Sequence, residues 1–310
     1  MKLLLLSYKI SLILVCLFVF TLTNRASAQQ SAASYTQYMD NLTPLNSAYS
    51  LLDKAASVNL LGRTQYVGIQ GAPNTFIFDG NVPIENIDGA AGLIINNDNF
   101  AIEHQTEVNA YFSKAVQLSA DHYLAVSLDA GFRNYIADYS GLAPGDPAFA
   151  NDVRETKASV GFGVLYYTDT YYFGVSVPQL TLRDLGSGSI LDNNYFRNHY
   201  YFSGAFIGNL EDNGDIKIKP AALVSYSRGV PLIADMSATI YFKSILGLGV
   251  NYRTNGEMAG ILSYNFGAFH IGYSYQFGTT SDDLGGLSNA THEITLGYRF
   301  GKGSLTPKLL

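Results

Sequence analysis

The stretch AFHIGYSYQF at residues 268–277 decides the fold. Phe269, Ile271, Tyr273, Tyr275 and Phe277 take every second position, and His270, Gly272, Ser274 and Gln276 fill the gaps. A period of two marks a strand whose two faces meet different media. The alternate face of a soluble sandwich is usually charged. Here it is small and weakly polar, and the apolar face is rich in tyrosine, as in a membrane strand with lipid on one side and a lumen on the other.

Composition extends this to the whole chain of 310 residues. Charged residues make up 14%, against roughly 25% in an average soluble domain. Gly (30), Tyr (23) and Phe (18) take their place, and there is no Trp. Mean hydropathy is only +0.08, because alternating strands average apolar and polar positions.

The N-terminus has the form of a secretory leader. Lys2 and Lys9 supply positive charge, residues 10–22 are apolar, and Ala26-Ser27-Ala28 is an A-x-A cleavage site. Cleavage removes Lys2, Lys9 and Arg25 and no acid, moving the net charge from −6 to −9. Such a chain is a poor partner for nucleic acid. The single cysteine, Cys16, lies within the leader, so neither a disulfide nor thiol chemistry is expected. After Ala28 no apolar run approaches the roughly 18 residues of a transmembrane helix. For an exported chain of alternating strands, a closed barrel is the structure that satisfies its backbone in lipid.

About fourteen strands are expected, at 57–67, 74–82, 88–97, 101–113, 122–136, 157–167, 171–178, 199–208, 216–226, 235–243, 245–254, 258–266, 268–277 and 292–300. The fold class is therefore all-β: a single antiparallel transmembrane barrel over 57–300. It is preceded by a leader (1–28) and an N-terminal segment (29–56), and followed by a tail (301–310). The three longest gaps, 137–156, 179–198 and 278–291, follow odd-numbered strands, whereas the shortest connections, near Thr168–Thr170, Ser244 and Gly267, follow even ones. That parity matches short periplasmic turns and longer external loops. Segment 29–56 lacks alternation but carries Tyr35, Tyr38, Met39, Leu42, Leu45 and Tyr49. It is expected in the lumen, across the periplasmic mouth or on a partner.

Charged residues fall opposite the apolar rows. Glu103, Glu107, Asp129, Arg133, Arg253, Glu293 and Arg299 either line a pore or pair inside a plugged lumen. Ile271→Arg would set a charge in lipid, whereas Ser274→Arg would enter the lumen and be better tolerated. The pairs Tyr166-Tyr167, Tyr171-Tyr172 and Tyr200-Tyr201 are expected in interface girdles.

Five stretches, in order, resemble the PorP/SprF family of outer-membrane proteins found with the type IX secretion system of Bacteroidota. Gln37-Tyr38-Met39 with Asn46-Ser47-Ala48-Tyr49 is similar to the family's Q-Y-M and N-P-A-Y. Arg63-Thr64-Gln65-Tyr66-Val67-Gly68 with Gly71-Ala72-Pro73-Asn74-Thr75 resembles R-x-Q-W-x-G and G-A-P-x-T. Residues 89–98, ending Asn97-Asp98, resemble G-x-G-x-x-x-x-N-D. Val177-Pro178-Gln179-Leu180 and the closing Thr291-His292-Glu293-Ile294 with Tyr298-Arg299-Phe300 complete the set. Ser47 replaces the family's proline and Tyr66 its tryptophan. The resemblance implies a non-enzymatic component of the outer membrane, supporting export or surface attachment of cargo with C-terminal sorting domains, gliding adhesins included. Its implied partners are that cargo, periplasmic or outer-membrane secretion and gliding proteins, and outer-membrane lipid. The alternative is an outer-membrane channel for a small solute.

Little in the residues points to chemistry. His104, His122, His199, His270 and His292 are scattered without metal-ligand spacing, and no metal or other cofactor is expected. Gly186-Ser187-Gly188-Ser189 falls in an external loop, not at a strand-to-helix elbow. His270 and Ser274 share a strand face roughly 13 Å apart, too far for a catalytic pair. Asp282-Asp283 and the run from Asp146 to Asp152 read as solvated loops more readily than as calcium sites.

Overall fold

The computed structural model describes residues 34–141, 146, 151–181, 196–211, 213–278 and 290–301. The leader, residues 29–33, Gly186–Ser189, Asp282, Asp283, residues 147–150 and the tail from 302 lie outside the described residues.

Fourteen wall strands form, in the places where alternation predicts them. They are β1 Ala56–Thr64, β2 Asn74–Ile84, β3 Gly89–Phe100, β4 Glu103–Ser119, β5 His122–Ala137, β6 Val153–Tyr167, β7 Tyr171–Thr181 and β8 His199–Phe206, which resumes as Gly208–Asn209 after a break at Ile207. Then come β9 Ile216–Ser227, β10 Ile233–Phe242, β11 Leu246–Arg253, β12 Glu257–Phe266, β13 Phe269–Gly278 and β14 Thr291–Phe300. Each pairs antiparallel with the next in sequence, and β14 returns to β1 with Ala56 opposite Phe300 and Thr64 opposite His292. The sheet is closed, so it presents no edge to lipid.

The faces are those the alternation requires. On β13 Phe269 and Ile271 are 54% and 50% exposed, while Ser274 and Gln276 are buried. On β5 Val126, Leu128 and Phe132 face out, and Ser127, Asp129 and Arg133 face in. Several strands run past their expected ends, β4 and β6 the furthest. Lys114 interrupts the apolar row of β4, but its ammonium folds back on the Ile87 carbonyl at 2.6 Å, and the strand continues to Ser119. At the far end of β6 the outward residues Arg154 and Thr156 are polar, and Thr156 accepts from Asn134 of β5 at 2.8 Å. With 17, 16 and 15 residues, β4–β6 exceed the roughly 9–11 needed to cross a bilayer.

Connections 85–88, 120–121, 168–170, 210–215, 243–245 and 267–268 lie at the mouth that carries Ala56 and Phe300. Connections 138–152, 182–198 and 279–290 lie at the other. The first mouth is periplasmic and the second faces the cell surface. Not every cell-surface connection is long: residues 101–102 turn tightly, with Ala101 at φ 51°, and 254–256 turn with Gly256 at φ 97°.

Two expectations need correcting. Neighbours on a strand point to opposite faces, so a Tyr-Tyr pair puts only one ring in a girdle. Tyr166, Tyr171 and Tyr200 lie on the lipid face, while Tyr167, Tyr172 and Tyr201 are buried inside. Nor is the lumen a place where Ser274→Arg is tolerated, because Ser274 is 1% exposed. Ile271→Arg should cost on the order of 2–4 kcal/mol, as a charge near the bilayer midplane does. Ser274→Arg should cost about 1–3 kcal/mol from overpacking alone. Folding titrations in lipid should therefore find both variants destabilised; a neutral Ser274→Arg would mean that the lumen is roomier than described.

Candidate functional site: the filled lumen

Residues 34–55 run through the barrel interior. Pro44 and the Asn residues at 41 and 46 break regular structure, leaving two short 3-10 turns, Thr36–Met39 and Ser47–Leu51. Tyr35, Tyr38, Met39, Leu42, Leu45, Leu51 and Leu52 are all buried. They join one apolar cluster with the inward Leu165, Tyr167, Tyr172, Leu223, Tyr241 and Ile261 of the wall. Full burial of such a side chain is worth about 1.5–3 kcal/mol, so the segment contributes apolar burial of the kind found in an ordinary core.

Polar contacts fix where it sits. Near the cell-surface end, the Glu293 carboxylate of β14 accepts from the Thr36 and Gln37 amides at 3.0 and 2.8 Å. Thr295 donates to Gln37 Oε1 at 2.7 Å, and Arg63 of β1 donates to the Ser34 carbonyl at 2.8 Å. A Cβ on Gly272 would stand 1.8 Å from Gln37 Oε1, so only glycine leaves room for that side chain on β13. Lower down, Lys219 of β9, with no exposed surface, donates to the Met39 carbonyl at 2.5 Å. Tyr241 donates to Asp40 at 2.9 Å, and His270 Nε2 lies 3.6 Å from the same carboxylate.

A third anchor is at Asn46. Its side chain accepts from the Ala48 amide and donates to the Val164 carbonyl, both at 3.2 Å. It occupies a notch formed by Gly163 on β6 and Gly174 on β7, where added Cβ atoms would meet it at 2.2 and 2.8 Å. Ser47 opens the following turn, where the family's proline would fit the first helical position. As serine it instead donates to Asp129 at 2.6 Å. At the periplasmic mouth Arg299 lies 3.3 Å from Asp53, and Asn81 donates to the Ala55 carbonyl at 3.1 Å. The chain thus crosses the lumen lengthwise before entering β1.

Of the two possibilities for the inward charges, pairing is observed for Glu107, Arg133, Arg253, Glu293 and Arg299, whereas Asp129 accepts from Ser47 of the segment. Arg133 bonds Glu107 at 2.6 Å. Arg253 bonds Asp235 at 2.8 Å and Glu257 at 3.2 Å. Arg63 lies 3.8 Å from Glu293. A cavity of about 30 Å³ remains beside Asp40, Asn41, Tyr49, Asp53, Asn59 and Arg299, room for about one water.

The motif positions separate into two groups. Gln37, Tyr38, Met39, Asn46 and Tyr49 belong to the luminal segment, and Glu293 is its receptor on the wall. Tyr38 donates to the Asp235 carbonyl at 3.3 Å, and Tyr49 packs edge-on against Tyr172 at 5.4 Å. Gly68, Gly71, Ala72, Pro73, Asn97 and Asp98 lie at the cell-surface end of β1–β3. There Gln65 donates to the Pro73 carbonyl and Ala101 to the Gly71 carbonyl, both at 2.9 Å. Gly68 and Gly71 take positive φ. Asp98 accepts from Thr75, and Asn97 donates to Thr106 at 2.9 Å. His292 belongs to neither group: it faces outward and meets the Tyr273 hydroxyl at 2.8 Å. Among the described residues, no three of His, Cys, Asp or Glu gather as a metal site.

No sequence motif marks Asp40, Lys219 and Tyr241 as anchors, or Gly163, Gly174 and Gly272 as notches. The available signal was a glycine on the inward face of a strand, which marks close approach by another element.

Together these features define an outer-membrane β-barrel filled by its own N-terminal segment. The chain belongs to a family of the secretion machinery: the description "Type IX secretion system membrane protein PorP/SprF" matches residues 26–298. No curated protein matches the sequence. Among solved structures it is similar to the Pseudomonas putida toluene transporter TodX, with 11% identity, TM-score 0.49, and coverage of 89% of this chain and 96% of that one. It is also similar to the CymD monoaromatic hydrocarbon channel (13%, 0.49, 88% and 95%). Omp33 of Acinetobacter baumannii gives 10% identity, TM-score 0.45, and coverage of 80% and 100%.

Proposed function

We propose that this protein is a docking component of type IX secretion, supporting export or surface attachment of cargo that carries C-terminal sorting domains, gliding adhesins among them. One observation carries this: residues 34–55 lie along the lumen, bonded to β1, β9, β13 and β14. A small-solute channel needs a continuous wet path with convergent polar groups. Here the path is occupied by apolar side chains, and the inward wall charges are held in ion pairs or by hydrogen bonds to the segment itself. The long cell-surface connections 138–152, 182–198 and 279–290 offer area to cargo, and the periplasmic turns offer it to secretion proteins. Leader removal before Gln29 belongs to the same proposal, because the barrel must first be exported.

Deletion of the gene should remove sorting-domain proteins from the cell surface while small-solute uptake stays normal, as read by surface proteomics and uptake assays. An unchanged surface proteome with a lost solute-uptake phenotype would favour the channel instead.

A further inference from the structure

Thirteen of the fourteen strand pairs join neighbours in sequence, and each is held by a connecting loop or turn. The pair β14–β1 joins the two ends of the barrel and has no such tether. Closing it means bringing together segments more than 200 residues apart, the costliest loop closure in the fold. If the wall opens anywhere, it should open there first, since no hairpin re-forms the pairing.

The N-terminal turn sits on that seam. Arg63 and Glu293 are partners across it in the β1–β14 register, yet their closest approach is only 3.8 Å. The better bonds run through the turn. Arg63 donates to the Ser34 carbonyl at 2.8 Å, and Glu293 accepts the Thr36 and Gln37 amides at 3.0 and 2.8 Å. Gln37 Nε2 donates to the Glu293 backbone carbonyl at 3.3 Å, and Gln37 Oε1 accepts from Thr295, also on β14. Gln276 of β13 accepts from both Arg63 and Thr36. The turn therefore bridges β1, β13 and β14 with buried, partly charge-assisted hydrogen bonds, the stronger kind.

We propose that residues 34–37 are a latch on the β14–β1 seam, so that displacing the luminal segment at this end also loosens the wall. Filling of the lumen and lateral closure of the barrel then become one coupled state. The Asn46 anchor, which bonds β6 and β7 on another part of the wall, has no part in the latch.

Amide exchange of the purified full-length protein in lipid nanodiscs separates the two anchors. In Gln37→Ala, exchange in 56–64 and 291–300 should rise on the order of ten-fold, the loss of one or two net hydrogen bonds, while 122–137 stays at the wild-type rate. Asn46→Ala should leave the seam at the wild-type rate. Thr295→Val, which keeps the side-chain shape and removes only the hydroxyl donor, should shift the seam in the same direction by less and serves if Gln37→Ala fails to fold. Unchanged seam exchange in Gln37→Ala and Thr295→Val, or an equal rise at the seam in Asn46→Ala, would overturn the latch and leave the segment a general filler.

Discussion

Glu293→Ala should destabilise the barrel by about 3–5 kcal/mol, the usual loss when one member of a buried, bonded charge pair is removed. The carboxylate is 1% exposed and serves Arg63 and two backbone amides of the luminal segment at once. Its removal leaves a buried guanidinium without its nearest acid and two donors without an acceptor. Glu293→Gln, which still offers a carbonyl oxygen, should lose less. Denaturant titration of the folded barrel measures both. Equal stability of wild type and Glu293→Ala would mean that the anchor is water-filled and contributes nothing.

A comparable loss is expected for Arg133→Ala, at a pair remote from the luminal segment. Arg133 and Glu107 are each about 4% exposed at the side chain and 2.6 Å apart. Gln105 adds a bond to the same carboxylate, and Phe196 covers the guanidinium at 5.2 Å. Removing the arginine leaves a buried carboxylate without its counter-charge, again about 3–5 kcal/mol. The double variant Arg133→Met/Glu107→Gln should recover most of that, because desolvation of both charges disappears together. The pair touches none of the anchors of residues 34–55, so Arg133→Ala should destabilise the barrel without releasing the luminal segment. A double variant no better than the single would show that packing, not charge, dominates there.

The wall was legible because the bilayer imposes a local rule. Every second residue must suit lipid, and Phe269 to Phe277 obeys it with no help from distant contacts. Legibility failed where that rule stops. Arg154 and Thr156 of β6 face outward beyond the apolar band, and Lys114 of β4 hides its charge on the Ile87 carbonyl. The Tyr-Tyr pairs are not girdle units, because strand alternation splits each between lipid and lumen.

The luminal segment was recognisable as too apolar for a free tail, but its place was not. Its contacts are set by residues far away in the chain: the Gln37 amide and Glu293 are 256 positions apart. Both stood out as motif positions, with nothing in the sequence to join them. Lys219, between Ile218 and Pro220, gave no sign that a fully buried ammonium would bind the Met39 carbonyl. A side chain that serves one distant backbone oxygen leaves no periodic trace.

The protein's own residues 34–55 occupy the lumen, and on the proposed function this keeps it from acting as a conduit. Ion conductance of the purified full-length protein in planar bilayers tests it most directly. The wild type should insert without a steady conducting state, and Glu293→Ala should show frequent openings as its luminal segment loosens. A stable open conductance in the wild type, blocked by one particular solute, would contradict the account and make the protein a channel.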